Sequence, residues 1–134
     1  MAELVEFVHG GAAKITPRVL QKIYKELPLL KLQFAQIEAP HCPHLEAQLQ
    51  FLANVVEDFA DGKADEIPYV TLAGACFAII YSRRVFDLIP DPLPEIGRVD
   101  DSAVVRVVLI EHEKVLVRYA EKLGQNWQTI TVEP

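Results

Sequence analysis

The chain contains few cysteines and more acidic than basic residues, and each shortage excludes a class of protein. Its two cysteines, Cys42 and Cys76, are too few for a disulfide framework, so we expect a reducing compartment. Thirteen Lys and Arg residues against nineteen Asp and Glu residues give a net charge of −6 at pH 7. Nucleic-acid binding depends on cations that neutralise phosphates. We therefore expect no nucleic-acid partner.

The sequence also lacks the common catalytic motifs. It has no HExxH pattern, nucleophile elbow, phosphate-binding glycine loop or dinucleotide fingerprint. His112 lies between Glu111 and Glu113, and no second histidine stands at helical spacing to share a metal with it. The first residues carry neither the basic leader nor the continuous apolar core of a signal peptide. We expect a cytoplasmic protein that is not an enzyme.

What the chain does contain is helical periodicity. Apolar residues make up 51% and charged residues 24%, the balance of a folded protein, and we expect residues 1–134 to form one domain.

The first helices are predicted from short local signals. Residues 4–8 are predicted to form a helical turn that Gly10 and Gly11 stop. Thr16 and Pro17 predict an N-cap and a first helical position. Pro28 is expected to kink or split the helix that follows, which continues to residue 37.

A second amphipathic helix and an apolar central helix are predicted next. Leu45 to Phe59 has helical spacing and ends near Asp61 and Gly62, completing a helical N-terminal part over about residues 1–62. Its polar face is predicted to carry Glu46, Gln48, Asn54, Glu57 and Asp58. The uncharged run from Ile67 to Ser82 is shorter than the roughly 18 to 20 apolar residues that span a bilayer. It predicts a central helix whose buried layer is Leu72, Cys76, Phe77, Ile79 and Ile80.

The last long helix is predicted to begin at Asp100 as its N-cap, with Asp101 in the first turn, and to end at Gly124. Its predicted buried stripe is Val104, Val107, Val108, Val115, Leu116, Tyr119 and Leu123. Beyond it, residues 127–132 alternate in polarity and weakly favour a short strand.

A proline-rich corner separates these two helices and is the most specific pattern in the chain. Pro90, Pro92 and Pro94 fix their own φ angles and push each preceding residue into extended conformation. The apolar helix is followed by the segment Asp87-Leu88-Ile89-Pro90-Asp91, and then by Pro94, Gly97, Asp100 and Asp101. This pattern resembles the signature of the YkvA-like family over about residues 67–123. One departure is that Arg84 and Val85 stand where members usually carry Ser and Pro.

The resemblance implies a small helical domain of bacteria and archaea, and no activity. Together with the periodicity, it predicts an all-α fold: a compact bundle of four to five helices around a central apolar helix, with a proline-rich corner and a short C-terminal tail.

The acidic residues of the corner are the first candidate site. Carboxylates are ligands that Mg²⁺ and Ca²⁺ prefer, and Asp87, Asp91 and Asp101 are the candidate ligands, with Asp100 beside them. Their spacing does not match an EF-hand loop. The structural interpretation is favoured: Asp100 and Asp101 cap a helix, and Asp87 pairs with Arg83, Arg84 or Arg98. We therefore expect no cofactor, with a divalent metal as the alternative.

Two further patterns have a functional and a structural interpretation. His41, Cys42 and His44 are potential zinc ligands, but a fourth ligand would have to come from a second copy of the chain. A basic stripe is formed by Lys14, Arg18, Lys22 and Lys25. It is either a solvated helix face or a surface for acidic lipid, for a nucleic-acid backbone or for the acidic run at residues 57–66.

The excess of apolar residues and the absence of catalytic motifs favour a non-enzymatic protein-interaction or homo-oligomerisation module. The first alternative is peripheral membrane association at the inner face of the cell membrane, through the apolar helix with Arg83 and Arg84. The second is a divalent-metal-dependent activity at the acidic corner.

Overall fold

The computed structural model describes residues 2–83 and 94–130, and these residues form seven helices and no strand. The helices are α1 (Ala2–Ala12), α2 (Pro17–Ala35), α3 (Leu45–Ala60), α4 (Tyr69–Ser82), α5 (Pro94–Glu111), α6 (Glu113–Lys122) and α7 (Trp127–Ile130). The all-α bundle is confirmed. It has more helices than the predicted four to five, because α1 and α7 at the two ends of the described chain also fold.

Helix α4 is the centre of the bundle, as its uncharged sequence predicts. It packs against α1, α2, α3 and α5, and its residues Leu72, Cys76 and Ile79 are fully buried. Phe77 and Ile80 of the predicted central layer are only half-buried. The helix begins at Tyr69 after Pro68, without a side-chain cap.

Helix α1 runs through both glycines that were expected to stop it. Glycine weakens a helix without forbidding it, and tertiary packing overrides the preference here. Gly11 lies under the ring of Phe77, where a side chain would overlap the ring, whereas Gly10 has open space beside it. The glycine at position 11 therefore allows α1 to lie close against α4.

Helix α2 begins as predicted and passes through Pro28 without a break. The hydroxyl of Thr16 accepts a hydrogen bond from the backbone N–H of Val19 at 3.2 Å, so this residue is the N-cap. Pro28 is exposed, and the single helix α2 includes it. The prediction of two helical pieces is wrong, because burial of Leu27 and Leu30 on either side holds the helix together.

The acidic end of α3 is tied to its neighbouring helices. The hydroxyl of Tyr119 on α6 donates to Asp58, the hydroxyl of Tyr24 on α2 donates to Asp61, and Lys31 bonds Glu57 at 3.0 Å. Among the described residues, Glu57, Asp58 and Asp61 of the acidic run are therefore bonded to one lysine and two tyrosines, and not to the four cations of the basic stripe. Gly62 then ends the helix with a φ of 77°.

The start of α5 and its division from α6 differ from the prediction. The helix begins at Pro94, so Asp100 lies inside it and is not the N-cap; proline suits a first helical turn because its φ is already helical. A break at His112, with φ −113° and ψ 23°, separates α5 from α6. Gly124 ends α6 with a φ of 74°, as predicted.

The predicted stripe of this helix pair is buried at four positions, Val104, Val108, Leu116 and Tyr119. Val107 and Val115 are half-buried, whereas Leu123 is 42% exposed.

The tail forms the short helix α7 instead of a strand. Gln48 of α3, which was expected on a polar face, is fully buried and donates from Nε2 to the carbonyl of Ile130 at 2.8 Å. The ring of Phe51 makes edge contacts with Tyr119 at 5.5 Å and Trp127 at 5.8 Å between centroids. These contacts dock the tail on α3 and α6.

Candidate functional site

The structure describes only part of the acidic corner. Asp87 and Asp91 lie outside the described residues. Asp100 and Asp101 are adjacent on α5, where consecutive side chains point about 100° apart, and accordingly Asp100 is exposed while Asp101 is buried. Within residues 2–83 and 94–130, no three His, Cys, Asp or Glu side chains are grouped so as to hold a metal ion. The metal hypothesis for Asp87, Asp91 and Asp101 stays a prediction.

The side chains of residues 41–44 also form no group of three metal ligands with other described residues. Cys42 is buried at 4% exposure, His41 is exposed, and His44 is the residue before α3. The two histidines flank a thiol that packs into the core.

The strongest candidate site is a pocket that no sequence pattern predicted. It has a volume of about 450 Å³ and lies between α1 and its following turn, α4, and the junction of α5 and α6. Its walls are mostly apolar: Val8, Ala12, Ala13, Ile15, Val70, Ala73, Gly74 and Val108, with Tyr69 at one edge. The hydroxyl of Tyr69 donates to the carbonyl of Ile15 at 2.8 Å and so joins α4 to the turn after α1.

His112 is the polar group of this pocket. The break between α5 and α6 places its imidazole over Gly74, where a Cβ atom would lie 3.0 Å from Nε2. Its Nδ1 lies 3.1 Å from the hydroxyl of Thr71, which is buried in α4. Burial lowers the pKa of His112, with Glu111 opposing and His9 adding to that shift. The imidazole is therefore neutral at neutral pH.

His9 and Glu111 form the polar rim. Nε2 of His9 on α1 lies 3.3 Å from Oε2 of Glu111 on α5, and both side chains are exposed. An exposed pair of this kind contributes little to stability. Its position matters more, because it places a carboxylate and a second imidazole at the edge of an apolar pocket.

The described walls of the pocket contain no cysteine or serine. The threonine next to the pocket, Thr71, is engaged with His112. Cys76 lies elsewhere on α4, where burial raises the pKa of its thiol to about 12 and keeps it unreactive. A pocket with mostly apolar walls and a few polar groups is the usual form of a small-molecule site.

Sequence reasoning missed this site because its members are far apart in the chain. His9 lies on α1, Thr71 on α4 and His112 at the break between α5 and α6, and no local spacing connects them. The small residues Ala73, Gly74 and Ala75 allow another helix to approach closely, and Gly74 does this for Val108 and His112. That run was the one signal in the sequence that pointed to this junction.

Comparison with protein-family models, with curated proteins and with solved structures finds no match to this chain. The resemblance to the YkvA-like family accordingly stays a prediction. Among the residues that the structure describes, no helix is both long and apolar enough to cross a membrane.

Proposed function

We propose that this protein is a non-enzymatic binding module whose site is the pocket between α1, α4 and the α5–α6 junction. The supporting observation is the pocket itself: a cavity of about 450 Å³ with apolar walls and a neutral, half-buried histidine. A cavity of this size and polarity suits a small, largely apolar molecule. The proposal keeps the non-enzymatic module expected from the sequence, but its partner is a small molecule and not a protein.

The test uses the uncharged dye N-phenyl-1-naphthylamine, whose fluorescence rises in apolar surroundings. The wild-type protein is expected to bind it saturably. Ala12→Leu adds apolar bulk to the wall of the pocket at the last residue of α1, and it is expected to weaken dye binding at least tenfold. Fluorescence titration of both proteins measures the effect.

Ala35→Leu is the matched control, because it makes the same substitution at the exposed last residue of another helix, α2. It should bind the dye as the wild type does. Circular dichroism and urea unfolding confirm that both variants are folded. Absence of saturable binding by the wild type, or equal binding by the folded Ala12→Leu variant, contradicts the proposal.

Homo-oligomerisation is a second candidate, and one surface supports it. Leu29 and Leu32 on α2 are 70% and 64% exposed, and they lie one helical turn apart beside the exposed Pro28. A contiguous apolar stripe of this kind is commonly covered by a partner, and the simplest partner is the same stripe on a second copy.

Native mass spectrometry tests this second candidate. We expect the wild type to give multiples of the 15.0 kDa chain, and a Leu29→Glu, Leu32→Glu variant to give the monomer, because four charges in a paired interface repel. Ile110→Glu, at an exposed apolar residue of α5, is the control and should keep the wild-type mass distribution. A monomeric wild type at micromolar concentration rules this candidate out.

A further inference from the structure

The pocket contains a hydrogen-bonding atom beside its apolar walls that has no protein partner among the described residues, Nε2 of His112. Nδ1 of the same ring is engaged with the hydroxyl of Thr71 at 3.1 Å, which fixes the plane of the imidazole. Nε2 is on the side of the ring near Gly74, which itself lines the pocket. A polar atom in apolar surroundings gains most from a partner that a ligand brings.

The charges around the pocket indicate that this ligand is uncharged. Among the described residues, the lining includes no Lys or Arg, so an anionic head would meet no permanent cation from them. Glu111 is the one carboxylate of the described lining, and it is engaged with His9 at 3.3 Å. A cationic head would share Glu111 with that imidazole at the exposed rim, where solvent screens the attraction. Burying a charge without a partner is costly, and either ion would be disfavoured.

The hydrogen-bonding chemistry of His112 limits which polar group the ligand carries. In a neutral imidazole one nitrogen donates and the other accepts. If Nδ1–H donates to Thr71, Nε2 accepts; if the hydroxyl of Thr71 donates to Nδ1, then Nε2–H donates. A hydroxyl group both donates and accepts, so it pairs with His112 in either tautomer, whereas a carbonyl or ether pairs with only one.

We infer that the pocket binds an uncharged, mostly apolar alcohol or phenol whose hydroxyl group forms a hydrogen bond with Nε2 of His112. This inference rests on the binding function proposed above and names the chemical class of the ligand. Thr71 acts as a positioning residue, because it holds the ring without contacting the ligand. Gly74 provides the space over which the ring lies.

The test is displacement of the bound dye at neutral pH by three compounds of one shape: 2-naphthol, 2-methylnaphthalene and 2-naphthoate. They carry a hydroxyl, a methyl and a carboxylate at the same position. 2-Naphthol is expected to bind roughly three- to tenfold tighter than 2-methylnaphthalene, the range of one neutral hydrogen bond. 2-Naphthoate is expected to bind more weakly than both.

His112→Phe keeps an aromatic ring and removes Nε2. It should bind 2-methylnaphthalene as the wild type does and lose the preference for 2-naphthol. A direct readout that needs no variant is the ¹⁵N NMR signal of Nε2 of His112 in the wild type, which should shift with 2-naphthol and stay in place with 2-methylnaphthalene.

The outcomes separate the two proposals. If 2-methylnaphthalene or 2-naphthoate binds as tightly as 2-naphthol, or if the Nε2 signal does not respond to 2-naphthol, the inference about the hydroxyl is wrong while the binding pocket stands. If none of the three compounds displaces the dye and the dye itself binds equally to Ala12→Leu, the pocket proposal fails as well.

Discussion

Replacing Leu72 with alanine is expected to lower the free energy of unfolding by roughly 2 to 5 kcal/mol, because it empties a position at the centre of the core. Leu72 is fully buried in α4, the helix that packs against four others. Truncation removes apolar contacts and leaves a cavity that the surrounding helices cannot fill without moving. Urea unfolding followed by circular dichroism measures the loss.

The control is Ile110→Ala, which removes the same number of carbon atoms from a helical residue that is 57% exposed. Its effect is expected to stay within about 0.5 kcal/mol, because surface substitutions leave no cavity. Similar losses for Leu72→Ala and Ile110→Ala would mean that α4 is not the centre of the core.

The second large effect concerns alanine substitutions at two adjacent glycines of α1, which are expected to change the free energy of unfolding in opposite directions. Gly11→Ala is expected to destabilise the protein by roughly 1 to 3 kcal/mol, because the new methyl group overlaps the ring of Phe77. That ring is also held by edge contact with Phe7, at 5.7 Å between centroids, so moving it disturbs a second contact. Gly10→Ala meets no atom within 4 Å and is expected to stabilise by roughly 0.5 to 1 kcal/mol through helix propensity.

Thermal and urea unfolding of the two variants measure the difference in sign. A further control identifies the cause: in a Phe77→Ala background the ring is gone, and Gly11→Ala should then behave like Gly10→Ala. Stabilisation by Gly11→Ala in the otherwise wild-type protein would show that α1 and α4 do not approach each other as described.

The parts of the fold that sequence reasoning predicted well are those in which local and tertiary preferences agree. Thr16 and Pro17 start α2 because capping satisfies a backbone amide whatever the rest of the chain does. Gly62 and Gly124 end helices because their positive φ angles disfavour other residues. The run from Ile67 to Ser82 becomes the central helix because nearly every face of it requires cover.

The predictions that were wrong gave too much weight to single residues. Pro28, Gly10 and Gly11 each disfavour a helix by an amount that packing of the neighbouring apolar residues exceeds. Asp100 has the chemistry of an N-cap, but Pro94 begins the helix six residues earlier. The alternation in residues 127–132 suggested a strand, yet Gln48 and Phe51 fix this segment to the bundle as a helix through Ile130.

The sequence by itself determined the helical class, the central position of α4 and several helix ends, because these depend on periodicity and on backbone chemistry within a few residues. Only the tertiary structure decided where the candidate site lies. His9 and Thr71 lie on α1 and α4 and His112 lies between α5 and α6, so their distances depend on how these helices pack. Packing is a property of side-chain shape across the whole core, so no local pattern encodes the pocket that these residues surround.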